Sequence, residues 1–156
     1  MAEKVKKIDA VDTKIIKLLQ INARTTASDI AEKIGMSVPA VSERLRKLEN
    51  AGIIDRYTAI LNNAKMGKEV MAIMLVAMNN PDLAVATAFR ELVTAEPDVL
   101  ECYSVTGEYD YHLKIITSST STLEQLLARI KAAVGVSKTS TAIILSTLKL
   151  NFPIEI

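Results

Sequence analysis

An α+β chain in two parts is expected from three features of the sequence. Residues 8–52 hold a helical apolar period. Near residue 53 the period falls to two. Residues 71–149 then read strand, helix, strand, strand, helix, strand, which is the order of an antiparallel sheet carrying both helices on one face. Charge divides with the pattern. Residues 1–68 hold 13 Lys/Arg against 8 Asp/Glu, and residues 69–156 hold 6 against 10, so a basic half precedes an acidic one. The expected parts are residues 1–54, a connecting strand or hinge over 55–68, and residues 69–156.

The elements follow in order. Val11, Ile15, Leu18, Leu19 and Asn22 form one helical stripe, with Ile8 and Ile16 beside it and Asp9 or Asp12 as cap. Thr26-Ala27-Ser28-Asp29 has the form of a capping box, with Asp in place of Glu, and opens a short helix over 27–34. Gly35 stops that helix. Ser37 caps the third helix, Pro39 sits in its first turn, and the helix runs through Val41, Leu45 and Leu48 to Gly52. Residues 54–61 alternate as an extended connector, and Asn62, Asn63 and Gly67 mark the boundary. Beyond it we expect strand 71–78, helix 82–94, strand 99–106, turn 107–110, strand 111–117, helix 122–133 and strand 140–149. This is a ferredoxin-like βαββαβ sandwich.

The helical part has the layout of a helix-turn-helix unit: a helix, then two short helices joined by Gly35-Met36-Ser37. In helical projection Val41, Leu45 and Leu48 point inward. Pro39, Ser42, Glu43, Arg46 and Asn50 point outward, flanked by Ala40, Arg44 and Lys47. That outer face fits the major groove of double-stranded DNA: Arg forks onto guanine, Glu accepts from cytosine, and Ser37 or Ser42 bonds phosphate or base. An ordinary surface helix also carries charges outward, so the turn, glycine, cap and helix lengths carry the reading together. Lys4, Lys6 and Lys7 are read either as a phosphate-touching arm or as a solvated terminus.

In the second part Met71, Ile73, Leu75 and Ala77 line one face of the first strand, while Ala72, Met74, Val76 and Met78 line the other. Both faces are apolar, yet two helices cover only one, so a second copy of the sheet is the expected cover and a two-fold dimer follows. Gly107-Glu108-Tyr109-Asp110 and Thr139-Ser140-Thr141 offer backbone N–H groups, a carboxylate and hydroxyls, chemistry suited to a free amino acid. Bare chemistry favours a plain hairpin turn and a solvated strand start.

Several functions are excluded. One cysteine and one histidine make neither a disulfide framework nor a Cys/His zinc site. The longest apolar run, residues 70–78, is far short of the ~20 residues that span a bilayer. No secretory signal precedes residue 9, and a cytoplasmic protein is expected. The glycines are isolated, so no phosphate loop is present. His112 and Cys102 read as packed strand residues, and Glu96, Asp98, Glu101 and Glu108 as an acidic scatter without EF-hand spacing. No enzyme, cofactor or metal site is expected.

Over residues 8–150 the chain resembles the Lrp/AsnC (leucine-responsive/asparagine regulator, "feast/famine") family of transcriptional regulators. The resemblance rests on Ile8-Asp9-x-x-Asp12-x-x-Ile15-Ile16-x-Leu18-Leu19, Asn22-Ala23-Arg24, Ile30-Ala31-x-x-Ile34-Gly35-x-Ser37 and Val41-x-x-Arg44-x-x-x-Leu48-Glu49-x-x-Gly52-Ile53-Ile54. Gly107-Glu108-Tyr109-Asp110-Tyr111 and residues 139–145 add looser support, with Glu108 where many relatives carry Asp. The resemblance implies a winged-helix-like DNA-binding domain, pairing through the ferredoxin-like domain, and dimers that assemble into octameric rings. It also implies an amino-acid effector near residues 107–110 and 139–141, with Tyr103 alongside. The alternative from another class is a small-molecule-sensing or protein-interaction module without DNA binding, which a steep salt dependence of DNA binding would exclude.

Overall fold

Local hydrogen bonds set the helix ends. The structure, a computed structural model, describes residues 8–79, 82–150 and 154–156. Lys4, Lys6 and Lys7 lie outside the described residues. Two compact units are present, Met1–Ile60 with Lys149–Ile156, and Leu61–Leu148.

In the first unit, α1 (Ala10–Ile21) starts at Asp9. The Asp9 carboxylate accepts from the Val11 and Asp12 N–H groups at 2.8 and 2.7 Å, while Asp12 accepts from the Asp9 N–H. Thr26 and Asp29 repeat the device for α2 (Ala27–Ile34). Gly35 ends α2 at φ 70° and ψ 40°, a left-handed conformation that favours glycine, and Met36 donates back to the Ala31 carbonyl at 3.0 Å. The chain is thereby turned into α3 (Val38–Asn50) within three residues. Ser37 occupies the cap position, but its side chain makes no cap bond. A cap hydroxyl bonds the second or third N–H of a helix, and Pro39 removes one of those donors. Ile15, Ile16, Ile30, Ala31, Val41 and Leu48 form the core, with Leu45 partly buried against it.

Residues 55–68, expected as a connecting strand or hinge, contain no strand: 55–62 lie outside any helix or sheet, with Tyr57, Ile60 and Leu61 exposed, and Ala64–Met66 form one short 3-10 turn. A strand exists only against a partner, and no described residue pairs with these. The last residues, expected with the second part, group with the first unit. The Gln20 amide, oriented with its nitrogen toward the Ile154 carbonyl, exchanges two hydrogen bonds of 3.1 and 3.0 Å with that backbone.

The second unit contains β1 (Val70–Met78), α4 (Leu83–Ala95), β2 (Val99–Ser104), β3 (Tyr111–Thr117), α5 (Thr120–Lys131) and β4 (Val136–Ile143). All pairings are antiparallel, in the order β2-β3-β1-β4. This is the expected βαββαβ sandwich. Ala72, Met74, Val76, Leu113 and Ile115 meet Phe89, Val93, Leu123, Leu126 and Ile130 in one core. Across the sheet from that core lie Met71, Ile73, Leu75 and Ala77.

Three elements of this unit differ from the expectation by two residues or more. Strand β2 ends at Ser104 instead of residue 106, where the Val105 N–H turns to the Asp110 carbonyl. Helix α5 starts two residues early because Ser119 and Thr122 form a capping box, which the sequence reading overlooked. Strand β4 starts at Val136 instead of residue 140 and ends at Ile143 instead of 149. Its span is set by β1, which pairs Met78 with Val136 and Ala72 with Ile143. Past the ladder's last bond, from the Ile144 N–H to the Met71 carbonyl, Leu145 and Leu148 are 95% and 97% exposed. Thr139-Ser140-Thr141 therefore lies mid-strand.

Candidate functional site

The first candidate surface is the outer side of α3. Its core anchors, Val41 and Leu48, are buried, which fixes the helix's rotation and leaves Ser37, Pro39, Ser42, Glu43, Arg46 and Lys47 exposed and Ala40 half-buried. Glu43 sits among two of the cations. Arg46 Nη2 donates to both of its oxygens at 2.9 Å, and Lys47 Nζ lies 3.3 Å from Oε1. The Arg46 guanidinium, then the Lys47 ammonium, hold the Glu43 carboxyl below its usual range. These are exposed pairs, and each adds little in water.

Arg44 was expected to flank this face as a DNA contact. Its guanidinium is instead turned toward α1, where Nη1 lies 2.7 Å from both Asp9 Oδ2 and Asp12 Oδ1. Beyond capping α1, Asp9 and Asp12 thus also hold a cation of α3. Two carboxylates three residues apart at a helix start were the available signal that a cation faces them.

The second candidate site lies in the Leu61–Leu148 unit, at the end of the sheet where β1 finishes. Gly107 takes φ 131°, a region open to glycine, and this lets residues 105–110 fold back. The Val105 N–H donates to the Asp110 carbonyl and the Asp110 N–H to the Val76 carbonyl, each at 2.9 Å. Asp110 Oδ2 accepts the Met78 N–H at 2.6 Å, which ties the loop to β1.

On the other side of β1, Lys138 pairs with Ala77 in the ladder and reaches the loop. Its Nζ lies 2.5 Å from Glu108 Oε1 and 5.3 Å from the centroid of the Tyr109 ring. The Glu108 carboxylate, then Tyr109, raise the Lys138 ammonium's pKa above its ordinary value. The sequence reading missed Lys138. The opposite charges at 108 and 138 were the signal, and only the sheet register brings them together.

The three hydroxyls expected to converge do not share a face. Ser140 stands opposite Leu75 on the side away from the core, while Thr139 and Thr141 stand opposite Val76 and Met74 on the helix side. Tyr103 is on β2 opposite His112 and donates its hydroxyl proton to Glu101 at 2.8 Å. Glu101 is paired in turn with Lys114. Cys102, expected to be packed, is exposed on the edge strand, and partial desolvation by its neighbours raises its thiol pKa. Among the described residues no cluster of His, Cys, Asp or Glu is arranged to hold a metal ion, and no helix is long and apolar enough to cross a membrane.

Both units match known families. Residues 8–55 match the winged helix-turn-helix DNA-binding domain, and residues 71–154 match the Lrp/AsnC ligand binding domain. Among curated proteins, the HTH-type transcriptional regulator FL11 of Pyrococcus horikoshii is 32% identical over 145 residues, covering 91% of this chain and 92% of that one. The leucine-responsive regulatory protein of Rhizobium meliloti is 33% identical over 77% of each chain. Among solved structures, the transcriptional regulator NMB0573 of Neisseria meningitidis in complex with L-methionine superposes with a TM-score of 0.90 at 27% identity, over 96% of this chain and 97% of that one. The feast or famine regulatory protein Rv3291c of M. tuberculosis, complexed with L-methionine, gives 0.84 at 30% identity over 95% and 99%. Matched along nearly its whole length, with a helix-turn-helix in one unit and a βαββαβ sheet in the other, the chain belongs to the Lrp/AsnC family of transcriptional regulators.

Proposed function

We propose that this protein reads duplex DNA through α3 as a dimer or a ring of dimers, and that a free amino acid bound beside the 107–110 loop sets its assembly or its DNA affinity. The observation that carries the reading is the build of α3. Gly35 delivers a helix whose inner side is locked by Val41 and Leu48 and whose outer side presents Ser42, Glu43, Arg46 and Lys47 to solvent. In the groove Arg46 and Lys47 exchange Glu43 for guanine edges or phosphate, and the released Glu43 accepts from cytosine.

The β1 face away from the helices supports the dimer. Met71, Ile73 and Leu75 are half-buried there and stand beside Ala142. A second copy related by a two-fold axis meets that face with an identical one, and the dimer so formed carries two α3 helices, one for each half of a pseudo-palindromic site.

The loop supports the ligand class. Lys138 offers an ammonium to a carboxylate, Asp110 has an oxygen beyond the one held by the Met78 N–H, and Tyr109 supplies an apolar wall. Those are the complements of the two charged ends and the stem of an amino acid. L-methionine, present in two of the similar structures, is the first to test. A ligand of this kind acts only through its different affinity for two arrangements of the protein.

The test has two parts. Duplexes selected by the protein from a random library should be bound with an affinity that falls steeply as salt rises. Light scattering with each amino acid in turn should show one that changes the assembly. Failure to select any duplex would refute DNA reading. Selection without any effect of an amino acid on either assembly or affinity would refute the effector.

A further inference from the structure

We infer that Arg44 is a positioning residue for the DNA-reading helix, acting through Asp9 and Asp12, and that it does not itself touch DNA. The inference rests on the DNA-reading assignment above and sharpens it. Arg44 lies on the same helix as Arg46 and Lys47 and is a cation like them, but its surroundings differ. Arg46 and Lys47 are exposed and share the carboxylate of a neighbour on their own helix. The Arg44 side chain is 29% exposed and reaches a different helix.

A single nitrogen, Nη1, donates to two carboxylates at 2.7 Å, one at the cap of α1 and one in its first turn. Both carboxylates are held in turn. Asp9 accepts the Val11 and Asp12 N–H groups, and Asp12 accepts the Asp9 N–H. The Asp12 N–H and then the Arg44 guanidinium keep the Asp9 carboxyl low, and Asp9 followed by Asp12 raises Arg44. The helix dipole favours negative charge at this end of α1, so the acceptors are pre-set before Arg44 arrives.

The geometry has a mechanical consequence. The apolar anchors Val41, Leu45 and Leu48 run along one line of α3 and set which side faces the core, but apolar packing is not directional and leaves a small residual roll. Arg44 lies to one side of that line and ties α3 to the start of α1 by charge-assisted bonds, which are directional. Rolling α3 swings the Arg46 and Lys47 side chains across the face they present. The tie therefore acts on base contacts through helix orientation. A guanidinium with both carboxylates in place is unattractive to phosphate.

The two roles predict opposite signs for one substitution. If Arg44 positions α3, Asp12→Asn loosens the tie and weakens binding to a library-selected duplex by roughly tenfold, the size of one degraded base contact. If Arg44 is a DNA contact, the same change frees a cation and removes a negative charge, and binding tightens. The readouts are fluorescence anisotropy of the full chain on that duplex and on poly(dI–dC), across a salt series.

We expect Asp12→Asn and Arg44→Met to weaken selected-duplex binding similarly, with the double variant no worse than either single one. We also expect poly(dI–dC) binding and the salt slope to stay unchanged, and Arg44→Lys to recover part of the loss. Tighter or unchanged binding by Asp12→Asn overturns the inference. So does a fall in the Arg44→Met salt slope by about 0.9, which reports a lost phosphate contact. If Arg44→Met fails to fold by circular dichroism, Asp12→Asn and Arg44→Lys decide. Absence of any selected duplex for the unchanged protein overturns the DNA-reading assignment as well, and is told apart by that fact.

Discussion

Gly135 precedes β4 at a point where three elements converge. Its φ is 85°, and a Cβ built there collides with Val85 Cγ1 and meets Met78 Cε at 3.0 Å. Its carbonyl accepts the Asn79 N–H at 2.8 Å, so the backbone is tied to the end of β1 and has little freedom to retreat. Gly135→Ala thus carries two costs. The left-handed backbone costs an L-residue about 1–2 kcal/mol. Overpacking Val85, a branched side chain at the start of α4, adds roughly 1–3 kcal/mol. The stiffer unfolded chain returns about 0.4–1 kcal/mol. The net is a loss of roughly 3 kcal/mol.

Gly67 is the control within the same unit, with φ 71° and nothing within 4 Å of a built Cβ, so Gly67→Ala bears only the backbone cost. It should lose about 1 kcal/mol by the same reasoning. Thermal unfolding followed by calorimetry should lower the transition of this unit by roughly 12–24 °C for Gly135→Ala and by about 4–8 °C for Gly67→Ala, at ~4–8 °C per kcal/mol for a domain of this size. Equal shifts for the two, or no shift at Gly135, would show that Val85 moves aside freely and that the close approach does not constrain the start of β4.

Three further outcomes are expected. Arg46→Ala should weaken binding to a selected duplex by ~1–3 kcal/mol and relax preference at one base pair; unchanged affinity by anisotropy removes Arg46 from the reading set. Asp110→Ala should abolish the amino-acid response in light scattering while the dimer persists, and the freed Met78 N–H should cost about 1 kcal/mol in urea unfolding; a variant that still responds refutes the effector role. The Arg129 guanidinium holds the Glu96 carboxyl below its usual range. A depressed carboxyl contributes stability that is present above its unfolded pKa of about 4.3 and lost as pH falls through its lower folded value. The melting gap between the unchanged protein and Glu96→Gln should therefore be full at neutral pH and close on acidification below about pH 4; a gap constant with pH refutes the pairing.

The parts legible in the sequence are those whose causes lie within a few residues. The Asp9 cap, the Thr26–Asp29 box, the Gly35 turn and the unbroken apolar run of β1 each depend on neighbours three or four positions away or on one continuous segment. Helix α2 and strand β3 accordingly fall on the expected residues. The outward side of α3 was legible for the same reason, since its rotation follows from its own apolar spacing.

What the reading missed depends on contacts that close long loops. The span of β4 is set by its ladder against β1, and local pattern cannot choose among registers on an apolar strand. Thr139, Ser140 and Thr141 were grouped as one cluster, and the pleat of a strand placed four residues earlier splits them between two faces. Lys138 meets Glu108 across 30 positions, and Arg44 meets Asp9 and Asp12 across 35 and 32. Whether a cation of α3 points at solvent or at another helix depends on where that helix packs. Propensity and capping act along the chain and are visible in its order, whereas register and long-range charge pairing arise from packing distant segments together.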